Sequence, residues 1–93
     1  MTALTHFEKD PAGIIDYTIR WTSWLPSGDT ISSSSWLLPA PEIAKVSESN
    51  TTTDAVIFLA SGTVGQIYEV TNRIVTVGGR QNDQTISILI EEK

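Results

Sequence analysis

The stretch from Val56 to Glu91, VIFLASGTVGQIYEVTNRIVTVGGRQNDQTISILIE, decides the fold. Apolar and β-branched residues alternate with polar ones and glycines interrupt them, which predicts three successive strands joined by two turns. In the last strand Ile86, Ile88 and Ile90 fall on one face and Thr85, Ser87 and Glu91 on the other, the pattern of a half-buried strand. In the middle strand Tyr68, Val70 and Ile74 share a face opposite Glu69, Thr71 and Arg73. Tyr68 stands three residues past Gly65, at the strand entrance. It has two readings: a tyrosine corner, whose hydroxyl bonds back to upstream backbone, or a ring packed into a β core.

Upstream, Ile14 to Trp24 reads as a strand, with Ile15, Tyr17, Ile19 and Trp21 on one face and Asp16, Thr18 and Arg20 on the other. Leu25 to Asp29 is a turn, and Thr30 to Leu38 is a second strand whose four serines, Ser32 to Ser35, require one wet face. Pro39 and Pro41 lack backbone donors, so the chain is expected to cross between sheets there. Ile43 to Glu48 fits a short strand or a turn and a half of helix. A turn at Ser49-Asn50 then leads to a strand over Thr51 to Ala60, where the run Val56-Ile57-Phe58-Leu59 predicts cover on both faces.

Six strands, or seven with an N-terminal arm, predict an all-β fold: an immunoglobulin-like antiparallel β-sandwich whose two sheets bury the Ile, Val and Trp faces together. Residues 10–93 form the single sandwich domain. Residues 1–9 form an arm, anchored only by Leu4 and Phe7, which adds an edge strand, grips a neighbour or stays loose. A chain of 93 residues is one domain, able to bury roughly 60–65% of the surface its unfolded form exposes. Without cysteine, neither a disulfide framework nor a thiolate zinc site holds it.

The net charge of −5 and the scatter of Lys9, Arg20, Lys45, Arg73, Arg80 and Lys93 argue against nucleic acid and anionic membranes, both of which need clustered cations. Met1 to Lys9 lacks the basic and apolar regions of a signal peptide, and no apolar run approaches a membrane span. A soluble protein outside the general export route is expected, with proteins as its partners.

Chemistry is sparse. His6, the single histidine, stands in the arm away from any nucleophile or ligand set. Asp10, Asp16, Asp29, Asp54 and Asp83 do not follow calcium-loop spacing, and Asp29 and Asp83 are read as turn residues bonding their own backbone. Gly62 to Gly65 and Gly78-Gly79 precede no helix with a Lys-Ser/Thr pair, so they are turn glycines and not phosphate loops. Asn50-Thr51-Thr52 matches a glycosylation acceptor by chance. No catalytic, cofactor-binding or metal residue is assigned, and no enzyme is expected. Aromatic side chains dominate interface hot spots and stack on sugars, so Trp24 and Trp36, with Leu4 and Phe7 of the arm, are the interface candidates, the alternative being that both tryptophans roof the end of the sandwich, while Trp21 is core.

Two blocks resemble the small fiber-tail adaptor proteins of tailed bacteriophages. The first holds Lys9-Asp10-Pro11, Asp16 to Trp21, Trp24-Leu25 and Gly28-Asp29-Thr30-Ile31. The second holds Leu59 to Thr63, Gly65, Tyr68-Glu69-Val70-Thr71-Asn72, Gly79-Arg80 and Ile86 to Ile90. Ser32 to Asp54 matches only in character, and Phe58 stands where family members often carry Trp. The resemblance implies a non-enzymatic structural protein of the virion, assembled in the host cytoplasm, that joins tail or neck to fibers as several copies in a symmetric ring. A capsid decoration protein and a carbohydrate-binding module are the alternatives.

Overall fold

The computed structural model describes residues 5–92, with the side chain of Thr5 excepted. Seven strands follow one another: β1 (Thr5–Lys9), β2 (Ile15–Arg20), β3 (Ile31–Leu37), β4 (Ile43–Asn50), β5 (Asp54–Ser61), β6 (Ile67–Thr76) and β7 (Gln81–Ile90). They form a four-stranded sheet in the order β1-β7-β6-β3 and a three-stranded sheet in the order β2-β5-β4. The inward residues of both sheets, Tyr17, Ile19, Ile57, Leu59, Val70, Ile74, Ile86 and Ile88 among them, make one buried core. The all-β sandwich read from the alternation is therefore present.

Period-2 patterning explains β6 almost without exception: Tyr68, Val70, Asn72, Ile74 and Thr76 are buried and their neighbours are not. In β3, Ile31 and Trp36 are both buried although five positions apart, a spacing that strict alternation would place on opposite faces. A register shift in the β3–β6 pairing between Ile31 and Ser33 reconciles them, and the Ser32 hydroxyl there donates to Val75 O at 3.0 Å. Pro39 to Pro41 does carry the chain from the four-stranded sheet to the other, and Ile43 to Asn50 is strand, not helix.

Several sequence expectations are corrected. The pairing is not wholly antiparallel, because β1 runs parallel to β7, with Phe7 opposite Ile88. Strand β2 stops at Arg20: Trp24 N and Leu25 N both donate to Trp21 O at 2.9 Å, so the chain winds into a tight turn where continued alternation was expected. The turn placed at Ser49-Asn50 falls at Thr51 to Thr53, where the Thr51 hydroxyl accepts from Thr53 N and Asp54 N. Phe58 is not covered on both faces; it stands on the outer face of the central strand of the small sheet, 39% exposed. Asp83 lies within β7, not in a turn, and forms a bidentate pair with Arg73 across the β6–β7 ladder.

The two sheets are joined by a buried polar chain. Trp21, the first residue after β2, donates Nε1–H to Asn72 Oδ1 of β6 at 2.8 Å. The Asn72 amide donates in turn to Ser34 Oγ at 2.9 Å and Ser35 O at 3.0 Å, both on β3. Trp21→Phe replaces the indole by a smaller ring and leaves a buried acceptor without its donor, so the lost bond and the lost packing together should lower unfolding free energy by about 2 kcal/mol or more. Urea denaturation of the purified chain measures this; a loss under about 0.5 kcal/mol would mean that the bond contributes nothing net.

Candidate functional site: the two loop ends

The strand order sorts every connection to one of two ends. At the first, the β2–β3 loop, the β4–β5 turn and the β6–β7 turn are tied together: Trp21 N donates to Thr53 O, Ile31 N to Thr52 O and Val77 N to Thr30 O, each at 2.9 Å. At the second, the β1–β2 turn, the β3–β4 crossing and the β5–β6 connection meet, with Gly62 N donating to Glu42 O at 2.9 Å and Glu91 N to Lys9 O at 2.9 Å.

At the first end Asp29 is the organising side chain. Its carboxylate accepts from Thr30 N, from Gly78 N at 2.9 Å and from Arg80 Nη1 at 2.9 Å. The Thr76 hydroxyl bond, followed by the Gly78, Arg80 and Thr30 donors, holds the Asp29 carboxyl below its ordinary value. Asp29 was expected to bond its own backbone and does; the clamp on the β6–β7 turn needs residues 49 to 51 positions away and carried no local signal. A Cβ at Gly78 would meet Arg80 Nη1 at 2.8 Å and the Asp29 carboxylate at 3.0 Å, so a larger residue there would displace the side chains of this clamp. On this frame stand Trp24, 38% exposed and packed edge-on against Trp21 at 5.5 Å, and Val77, 72% exposed.

At the second end Tyr68 settles its two readings. Its hydroxyl accepts from Thr63 N at 3.0 Å, five residues upstream, and lies 3.5 Å from Glu42 Oε1. Lys9 was expected in the arm but is buried in the sandwich, with Nζ donating to Ser61 O at 2.7 Å and Asp10 O at 2.9 Å. Burial pushes its ammonium below the ordinary lysine value, with Asp10 opposing. Ser61 has a positive φ of 67°, and Gly62 at 106° has no room for a Cβ, which would meet Ile90 at 2.7 Å. Between the crossing and the β5–β6 connection lies a cleft of about 460 Å³. Ile14, Val64 and Ile67 are exposed around this end.

The interface candidates fall in different places. Leu4 lies outside the described residues, as does the rest of the arm before Thr5. Phe7 is half-buried, its ring 4.9 Å from that of Tyr17 on the opposite sheet. Trp36 is only 6% exposed, and its Nε1 has no acceptor among the described residues. Of the three described candidates, Trp24 alone presents its ring at a loop end. Missed by alternation were Val64 and Val77, in turns, and Ile67, the first residue of β6, because isolated apolar residues at turns and strand ends look alike in sequence. His6 Nδ1 lies 3.4 Å from Ser87 Oγ, and among the described residues no three His, Asp or Glu side chains assemble as a metal site.

A β-sandwich that displays apolar side chains at its two loop ends is an architecture suited to contacts with other molecules. The family model described as podophage GP4 fiber-tail adaptor protein gp77 matches residues 9–89, nearly the whole chain, and the chain belongs to that family. It is thus a structural protein of the phage tail. No curated protein matches it.

Two outcomes follow. Tyr68→Phe should cost about 1 kcal/mol in denaturant unfolding, since Thr63 N–H loses its acceptor; an unchanged midpoint would mean that water replaces the hydroxyl. Because the folded-state carboxyls of Asp29 and of Asp83, the latter lowered by Arg73, titrate below the ordinary 3.8, the stability they give is fully present above that value. It is lost as pH falls through the depressed folded values. Thermal melts from pH about 5 down to about 2 should therefore fall more steeply for the native chain than for Asp29→Asn, and parallel curves would contradict the assignment.

Proposed function

We propose that this protein joins the tail or neck of a tailed phage to its fibers through protein–protein contacts made at the two ends of the sandwich. The observation that carries this is the family match over residues 9–89. The distribution of exposed apolar residues supports the rest: Trp24 and Val77 at one end and Ile14, Val64 and Ile67 at the other give two separate contact surfaces on one scaffold, which an adaptor needs. Several symmetry-related copies assembling in the host cytoplasm around the tail axis follow from this reading, with heterologous contacts that close by rotation. The strand order also supports immunoglobulin-like connectivity, with β2-β5-β4 in one sheet and β3-β6-β7 in the other, β1 having joined the second.

Chemical crosslinking of the tagged chain in cells where the phage is assembling tests the proposal. Crosslinks to tail, neck and fiber proteins are expected, and crosslinks confined to the major capsid protein would replace the adaptor with a decoration protein. Trp24→Ser combined with Val77→Ser should reduce incorporation into particles severalfold; Val77 is 72% exposed, whereas Trp24 is 38% exposed and packs on Trp21, so a stability loss of about 1–2 kcal/mol is expected and a cooperative melt of the variant shows that it still folds.

A further inference from the structure

We infer that the cleft at the second end is a socket for a partner segment that carries an apolar residue beside a lysine or arginine. This rests on the adaptor reading and names the chemistry of one of its two contacts. The cleft has apolar walls in Pro39, Ala40 and Ile67, and its polar groups are Glu42, Thr63, Gln66 and the Tyr68 hydroxyl. Ile67 is 59% exposed, a large apolar side chain at the rim with nothing packed over it.

The charge of the occupant follows from what faces the cleft. Glu42 is its one charged lining residue, and among the described residues no cation stands within ion-pair distance of it. Among the described residues the lysines of the same end are engaged: Lys9 is buried on two backbone carbonyls, and Lys45 pairs with Glu48. The arginines lie elsewhere, Arg80 tied to Asp29, Arg73 to Asp83 and Arg20 at the far end of β2. Glu91 and Glu92 follow β7 at this end and add to the negative potential, in a chain of net charge −5. Tyr68 is held in place through the Thr63 bond, with its hydroxyl 3.5 Å from Glu42 Oε1, so the Glu42 carboxylate is the acceptor the cleft wall presents. A guanidinium or ammonium satisfies it, and a neighbouring apolar side chain covers Ile67, Pro39 and Ala40. An anionic or purely aliphatic segment leaves Glu42 either repelled or unpaired, so the site discriminates by charge as well as shape.

The test uses the full chain labelled with nitrogen-15 and the blocked tetrapeptide acetyl-ALRA-amide, with acetyl-ALEA-amide as control, at low ionic strength. The arginine peptide should shift the amides of Ala40, Glu42, Gln66 and Ile67. Its affinity should fall roughly fivefold for Glu42→Gln and again for Ile67→Ser, while the glutamate peptide leaves these amides in place. Both substitutions are at exposed side chains, and unchanged melting of each variant establishes that the fold is intact. Shifts elsewhere, equal response to both peptides, or no loss in Glu42→Gln overturn the socket. Incorporation of the native chain into particles is scored separately: if it fails while the arginine peptide still binds, the adaptor reading fails and the socket's chemistry stands.

Discussion

The hydrogen bond from Trp21 to Asn72 is the constraint on which the rest of the sandwich depends. An amide at 0% exposure in a β core costs free energy unless its donors and acceptor are all used. Asn72 uses them on two elements at once, accepting from Trp21 beside the small sheet and donating to Ser34 and Ser35 on the edge strand of the large one. Those bonds close only when β3 pairs with β6 in the observed register, Ser35 opposite Arg73 and Trp36 opposite Asn72. A strand made of four serines has little apolar pattern to set that register, and a slip by one residue would turn Trp36 out to solvent. The buried asparagine supplies the specificity that the serines lack.

The same division of labour recurs at both ends. Asp29 reaches Gly78 and Arg80, Tyr68 reaches Thr63, and Lys9 reaches Ser61, so each residue is fastened to a segment adjoining a different strand or turn. These pairs, with Trp21 and Asn72, draw heavily on the residues that carry the resemblance to the adaptor family. What that pattern specifies is a braced scaffold. The exposed apolar residues Val64 and Val77, on turns, and Ile67, at the start of β6, fall between the positions that carry the resemblance, on backbone that the braces hold. Rigid framing of a displayed side chain lowers the entropy that a contact must overcome, which is the physical use of so many clamps in a small domain.

The strands were legible in the sequence because alternation is a local property: Tyr17, Ile19, Val70, Ile74, Ile86 and Ile88 are buried as their spacing requires. What depends on pairing was not legible. The parallel course of β1 beside β7 joins residues about eighty positions apart, and the shift in β3 shows only against β6. Phe58 looked doubly covered because its neighbours are apolar, yet the outer face of the small sheet has no layer over it. Lys9 looked solvated because lysine is almost never buried; two carbonyls at a positive-φ corner change that, and neither is visible in residue types. Of the proposed contact surfaces, only Trp24 was legible, since an aromatic side chain near a turn is the one interface signal that needs no three-dimensional context.

The size of the ends sets how such an adaptor can work. Two sheets about 10 Å apart, each three or four strands wide at about 4.8 Å per strand, give an end section of a few hundred Å². That is well under the roughly 800 Å² per partner of a stable standard interface. A single chain meeting a partner end-on would therefore hold it weakly, however well Trp24 or Ile67 seats. Binding firm enough for a virion needs either a flank engaged as well, with Phe58 the evident anchor on the small sheet, or many copies bound to one symmetric partner, so that each additional contact forms at high effective concentration. Repetition favours a scaffold whose two ends keep a fixed distance and angle, because any flexibility between them would lower that effective concentration. The clamps from Asn72 to Asp29 at one end and Tyr68 and Lys9 at the other meet that requirement, which links the cost of a buried polar network to the task proposed for the protein.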